Sequence, residues 1–162
     1  MTFHGTLLSQ AEVLLESYRC AGLTIATAES CTGGLVAGCL TEIPGSSDVF
    51  ERGFVTYSNA AKAEVLGVPA ALIAEHGAVS AEVAEAMARG ALARSKADAA
   101  IALTGVAGPG GGTAEKPVGL VHIGAVRRDG AVRQRCEIFG GDRTAVRTRS
   151  VAAALELLGE LL

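Results

Sequence analysis

Leu23-Thr24-Ile25-Ala26-Thr27 runs directly into Ala28-Glu29-Ser30-Cys31-Thr32-Gly33-Gly34, and then into Leu35-Val36-Ala37-Gly38-Cys39-Leu40. The first segment is β-branched and apolar, the last has an apolar helical pattern, and the middle is small, polar and glycine-rich. The pattern predicts a strand over 23–28 that turns sharply into a helix after Gly33. Such a turn holds its side chains at the sheet edge, beside helix N-terminal amides that have no partner within the helix. Those amides can bind a phosphate or stabilise an oxyanion formed at a carbonyl under attack. Ser30 and Cys31 are the two candidate nucleophiles in that position. The same residues also describe an ordinary capped helix entry.

Outward from this turn, apolar positions Leu7, Leu8, Ala11, Leu14, Leu15 and Tyr18 predict a helix over about 7–20, with Gly22 as its stop. Pro44-Gly45-Ser46-Ser47 marks a loop. Residues 50–57 read as a strand with a glycine interruption. Ser58 or Asn59 caps a short helix over 60–66, which Gly67 and Pro69 end. Another short helix covers 70–75, and Ser80 caps a long one reaching about Lys96. A buried strand at 99–103 leads into Thr104-Gly105 and the flexible segment Val106-Ala107-Gly108-Pro109-Gly110-Gly111-Gly112-Thr113. Strands at 118–126 and 132–139 are joined through Asp129-Gly130, a hairpin signal. Asp142 caps a final helix from about Arg143 to Leu162. With no linker and no internal repeat, the expectation is one α/β domain over 1–162. It has three layers, α/β/α, around a mixed, mostly parallel sheet.

A chain of 162 residues with 49% hydrophobic and 19% charged residues can bury a substantial core. Aromatic residues are only 4%, so Ala, Val, Leu and Ile must pack that core. The net charge of -3 gives no argument for nucleic acid or for an anionic membrane. Seven of the 14 basic residues nevertheless fall between 127 and 149: Arg127, Arg128, Arg133, Arg135, Arg143, Arg147 and Arg149. That run reads either as a solvated face or as a source of anion-binding arginines. Cys20, Cys31, Cys39 and Cys136 form no C-x-x-C pair, and His4, His76 and His122 lie in no metal-ligand spacing. The opening Met1-Thr2-Phe3-His4-Gly5 is unlike an export signal, and no apolar run is long enough to span a bilayer. The expected setting is cytoplasmic, with reduced thiols and neither metal nor cofactor.

Ligands of open α/β sheets bind beyond the carboxyl ends of the strands. Three loops lie there: 29–34 with Ser30 and Cys31, 57–62 with Tyr57 and Lys62, and 104–113 with Thr104 and the glycine-rich turn. A serine needs a base, and no Ser/His/Asp set is legible, so a desolvated lysine is the available alternative. Lys62 falls on the first turn of a predicted helix, whose positive end opposes the charged amine. Tyr57, at a strand end, could relay or orient the proton. A surface lysine and a half-buried strand tyrosine would give the same spacing. The glycine-rich segment matches neither a Walker loop nor a dinucleotide motif, and is either a passive loop or a backbone nest for an anion.

Taken together, Ala28-Glu29-Ser30-Cys31-Thr32-Gly33-Gly34, Tyr57-Ser58-Asn59-Ala60-Ala61-Lys62, Leu103-Thr104-Gly105-Val106-Ala107-Gly108-Pro109-Gly110-Gly111 and Gly141-Asp142-Arg143-Thr144-Ala145-Val146-Arg147 resemble the CinA C-terminal domain family. The four pieces occur in order across nearly the whole chain, and the resemblance is to the stand-alone form. It implies hydrolysis of the carboxamide of nicotinamide mononucleotide to nicotinic acid mononucleotide and ammonia, in pyridine nucleotide salvage. It also implies Ser30 as nucleophile with Lys62 and Tyr57 as its activating partners. Cys31, Thr32, Gly33 and Gly34, with Thr104 and Gly105, are then expected around the carboxamide and its oxyanion. Gly110, Gly111, Arg143 and Arg147 are the candidates for the nucleotide phosphate. The alternative is a non-catalytic nucleotide-binding or interaction module of the same fold. The expected partners are a small nucleotide and further copies of the same chain, a dimer or higher.

Overall fold

A computed structural model describes residues 3–162, so the opening pair Met1-Thr2 lies outside the described residues. In chain order the elements are α1 (Gly5–Ala21), β1 (Ile25–Glu29), α2 (Leu35–Thr41), β2 (Phe50–Val55), α3 (Asn59–Leu66), α4 (Ala70–His76), α5 (Ala81–Ala93), β3 (Ala99–Gly105), β4 (Leu120–Arg127), β5 (Val132–Ile138) and α6 (Arg143–Glu160). The five strands form one sheet in the order β2-β1-β3-β4-β5. β1 pairs parallel with both β2 and β3, while β3–β4 and β4–β5 are antiparallel. The sheet is therefore mixed, as the alternation of strands and helices followed by a hairpin requires.

Strand alternation divides the core in two. Ile25, Ile101, Leu103 and Ile123 face α1, α2 and α6, where they meet Leu15, Leu40 and Leu155. Ala26, Ala28, Ala100 and Ala102 face the other way, onto Leu66, Met87 and Ala91 of α3 and α5. Small residues on this second face let α5 lie close to the sheet. A Cβ on Gly124 would stand 3.1 Å from the backbone of Ala84, and one on Gly90 would overlap the Leu66 carbonyl at 2.1 Å. This is how a core poor in aromatics reaches close packing: backbone approach replaces side-chain bulk. The glycine interruption in β2 has a similar cause, because a Cβ on Gly53 would lie 2.7 Å from Thr27 Oγ1 on the neighbouring strand.

Local signals in the sequence end the helices. Gly22 and Gly67 adopt left-handed conformations after α1 and α3, at φ 68° in each case. Ser58, Ser80 and Asp142 accept the amides of Ala61, Val83 and Ala145 at the starts of α3, α5 and α6. Several boundaries differ from expectation: β2 ends at Val55 rather than Tyr57 and β4 starts at Leu120 rather than Val118, and two further shifts have a visible cause. α5 ends at Ala93 rather than near Lys96, where Arg128 draws the Leu92, Ser95 and Ala97 carbonyls to its guanidinium. Thr104 and Gly105 belong to β3 rather than to the loop, because they pair with His122 and Val121.

The connection from β1 to β2 passes through α2 on one face, while that from β2 to β3 passes through α3, α4 and α5 on the other. The chain thus leaves the carboxyl ends of β1 and β2 toward opposite faces of the sheet. A crevice opens between them, the usual ligand position in such sheets. No helix of the described residues is long and apolar enough to cross a membrane.

Candidate active site

Ser30 follows β1 directly, and its amide donates to the Leu103 carbonyl at 3.0 Å, so the serine is held on the β1–β3 side of the crevice. Its side chain faces α3. Lys62, on the first turn of α3, is only 1% exposed, and its Nζ stands 3.0 Å from Ser30 Oγ. Nζ also donates to the Thr56 carbonyl at 3.0 Å and approaches that of Tyr57 at 3.5 Å. Among the described residues, no carboxylate pairs with the amine. Burial pushes its pKa below the ordinary 10.5, with a weaker opposing contribution from Cys31. The sequence places Lys62 near the positive end of α3; the principal cause of the shift is desolvation.

This arrangement fits a neutral amine. Two hydrogens of an –NH2 group satisfy the Thr56 and Tyr57 carbonyls, leaving the lone pair for the Ser30 hydroxyl. A serine and a base within about 3 Å of each other form a nucleophile–base pair. Cys31, the other candidate nucleophile, is buried, and burial raises its thiol pKa to about 11. It is therefore protonated at neutral pH and a poor nucleophile.

A cleft of about 320 Å³ opens on Ser30, with Lys62 buried behind it. Ser30 and Cys31 form one wall, Tyr57 and Arg143 a second, and the backbone of Gly105, Gly108, Gly110 and Gly111 a third. A neighbouring cavity of about 440 Å³ shares Ala107 and Arg143 and runs along Asp142 and Thr144. A larger cavity, about 510 Å³, lies at the opposite sheet edge between Leu23, Asp98 and Asp129. Its charges are already engaged, Asp98 with Thr24 and Asp129 with Arg127, so it offers no comparable chemistry.

The structure brings together Ser30, Cys31, Gly105, Gly110, Gly111 and Arg143 at the cleft, with Lys62 bonded to Ser30 behind it, and redirects several other expected residues. Tyr57 lines the cleft, but its phenol, 61% exposed in the residue as a whole, accepts from Arg143 Nη2 at 2.9 Å. Only its main-chain carbonyl reaches Lys62. Thr104 is buried, and its hydroxyl donates to the Ala78 carbonyl at 2.7 Å, so that hydrogen is not available to an oxyanion. Arg143 crosses the cleft mouth, its Nη1 donating to the Gly108 carbonyl at 2.9 Å. Arg147 turns instead to the back of the 30–34 turn, where Nε donates to the Cys31 carbonyl at 3.1 Å and Nη2 to that of Thr32 at 3.0 Å.

The expectation of unpartnered amides at the start of α2 is also corrected. Gly33 and Gly34 take positive φ, 59° and 97°, to make the turn, and the buried Glu29 carboxylate then accepts Val36 N at 2.8 Å and Ala37 N at 3.1 Å. These amides cannot serve a ligand. The Gly33 amide is likewise used, donating to the Ser30 carbonyl at 3.0 Å. The amides of Cys31 and Thr32 meet no acceptor on another described residue. Sequence rules for caps overlook Glu29 because they search the residue just before a helix, whereas this carboxylate reaches seven and eight residues forward from a strand.

The basic run of 127–149 is not a free cationic face. Arg127 binds the Leu161 and Leu162 carbonyls, Arg128 those of Leu92 and Ala97, and Arg149 that of Gly140. Arg135 pairs with Glu156 and Glu160. Among the described residues, no group of three or more His, Cys, Asp or Glu side chains is arranged to hold a metal ion.

Residues 8–162 match the model of the CinA C-terminal domain. The chain is 49% identical over 154 residues to the nicotinamide-nucleotide amidohydrolase PncC of Escherichia coli K12, covering 94% of this chain and 92% of that protein. It is 58% identical over 142 residues to a CinA-like protein of Mycobacterium sp. strain JLS, covering 88% of this chain but about a third (34%) of the relative's length. The crystal structure of the competence/damage inducible protein CihA from Agrobacterium tumefaciens superposes with a TM-score of 0.97 at 50% identity, covering 99% of this chain and 98% of that one. The fold agrees with these comparisons, and the chain belongs to the CinA C-terminal domain family.

Proposed function

We propose that this protein hydrolyses the carboxamide of nicotinamide mononucleotide, releasing nicotinic acid mononucleotide and ammonia, as one amidohydrolase domain in pyridine nucleotide salvage. The reading rests first on the buried Lys62 amine 3.0 Å from Ser30 Oγ. Burying a lysine without a carboxylate costs stability, and a module that only bound nucleotides would have no use for that arrangement. The similarity to the amidohydrolase of E. coli supplies the substrate.

In the proposed reaction, Ser30 Oγ attacks the carboxamide carbon while neutral Lys62 takes the hydroxyl proton. The oxyanion faces the Cys31 and Thr32 amides. Collapse breaks the C–N bond, the Lys62 ammonium returns its proton to the leaving nitrogen, and ammonia departs from a Ser30 ester. Water then attacks the ester carbon, Lys62 takes the water's proton, and collapse returns that proton to Ser30 with release of the acid. Lys62 is both base and acid, which a pKa below the usual lysine range favours. Arg143, across the cleft mouth, is the proposed contact for the nucleotide phosphate.

The test is incubation of purified protein with nicotinamide mononucleotide, with and without chelator, measuring ammonia and the acid product. Equal turnover in both arms, absent in Ser30→Ala, is the expected result. Turnover no higher than that of the Ser30→Ala control would overturn the reading.

A further inference from the structure

We infer that Arg147 is a positioning residue that aims the oxyanion-binding amide of Thr32 and does not itself contact substrate; the inference rests on the Ser30 nucleophile proposed above. The Cys31 and Thr32 carbonyls both point at one guanidinium, 3.1 and 3.0 Å from Nε and Nη2. A trans peptide is planar, so each carbonyl and the amide hydrogen of the following residue point in opposite directions. Fixing the Cys31 carbonyl on Arg147 therefore turns the Thr32 N–H away from it, and fixing the Thr32 carbonyl does the same for the Gly33 N–H. The Gly33 N–H shows where that side lies, because it lands on the Ser30 carbonyl at 3.0 Å. The Thr32 N–H is directed to the same side, without an acceptor on another described residue.

The turn is gripped from its other end as well. Glu29 holds the Val36 and Ala37 amides, so a carboxylate fixes the start of α2 and a guanidinium fixes the carbonyls before it. Oxyanion donors act through preorganisation, costing no rearrangement when charge develops. A loop made of Ser, Cys, Thr and two glycines is not stiff of itself. The Thr32 carbonyl also accepts the Leu35 amide at 3.2 Å, whereas the Cys31 carbonyl is held by Arg147, which adds its stiffness from α6, more than a hundred residues away in sequence. Gly33 marks how closely it approaches, since a Cβ there would stand 3.4 Å from Arg147 Nη2.

The experiment compares Arg147→Ala and Arg147→Lys with the unmodified protein in steady-state turnover, with added guanidinium, and in the rate at which a fluorophosphonate labels Ser30. In labelling, Ser30 Oγ bonds to phosphorus, the P–F bond breaks, fluoride leaves and Lys62 takes the proton, so the readout does not depend on the nucleotide substrate. Arg147→Ala should lose about 10- to 100-fold in kcat and in labelling rate, with KM within about twofold and the acid limb of the pH profile unmoved. Guanidinium should restore part of the rate. Arg147→Lys, which keeps the charge without the planar fork, should fall between. A raised KM with intact kcat would show that Arg147 grips substrate, and overturns the inference. So would a loss that tracks the unfolded fraction in thermal melts and does not respond to guanidinium. If the unmodified protein labels at Ser30 but releases no ammonia, the substrate reading fails and the labelling rates of the variants still decide the role of Arg147.

Discussion

Replacing Lys62 with methionine tests the base and the energetics of its burial together. Lys62 is 1% exposed, and its amine touches two carbonyls and the Ser30 hydroxyl and has its pKa pushed below 10.5 by burial. Loss of a general base costs about 10²- to 10⁴-fold in rate, so Lys62→Met should retain at most about a hundredth of the activity. In the unmodified protein, kcat/KM should rise with pH as Lys62 loses its proton. Stability should follow the same sign. Between the lowered folded pKa and 10.5 the unfolded chain holds a proton that the folded protein lacks, so stability increases with pH there. The slope is at most about 1.4 kcal/mol per pH unit, and each kcal/mol moves the melting midpoint of a domain this size by about 2–4 °C. Below the folded pKa both states carry the proton and the contribution becomes constant. Cys31 works in the opposite direction, because its thiol, raised from 9.0 to about 11, keeps a proton that the unfolded chain gives up. The comparison therefore belongs in a Cys31→Ala background, where the melting midpoint with Lys62 intact is set against that of the Lys62→Met variant at each pH. A difference that is flat or falls with pH, or a Lys62→Met variant keeping more than a tenth of the rate, would refute the reasoning.

Cys31→Ala by itself should keep most of the activity, since a thiol with a pKa of about 11 contributes no thiolate at neutral pH; a dead Cys31→Ala beside an active Ser30→Ala would reverse the nucleophile assignment. Arg143→Ala should weaken nicotinamide mononucleotide binding by about 1.5–3 kcal/mol, the range for a hydrogen bond to a charged group, and leave nicotinamide riboside nearly unaffected. Equal losses on both substrates in that comparison would mean that Arg143 serves the cleft wall through Gly108 and Tyr57.

The helix caps, and every helix end except that of α5, which Arg128 sets from 36 residues away, were legible because their causes are local. Ser58, Ser80 and Asp142 each bond an amide three residues ahead, and Gly22 and Gly67 supply a backbone conformation that other residues resist. The strands buried continuously over 25–29 and 99–104 and the Asp129-Gly130 hairpin likewise belong to short segments, and they carried the layered α/β architecture with them. The turn at 30–34, as the place where chemistry could occur, was legible for the same reason.

Which partner each long side chain finds was decided by tertiary structure. Ser30 and Lys62 are 32 residues apart, Tyr57 and Arg143 are 86 apart, and Arg147 is 116 from Cys31. The sequence alone determined that a serine, a lysine and arginines would reach one edge of a sheet. It could not separate Arg143 from Arg147, which share a helix face one turn apart, because a guanidinium goes to whichever acceptors the folded chain leaves open. α6 lies so that its first turn reaches across the cleft and its second reaches behind the 30–34 turn. For the same reason, Glu29 closed the α2 amides and Ala78 took the Thr104 hydroxyl. Buried polar groups must find partners, and only the packed tertiary structure fixes which ones are within reach.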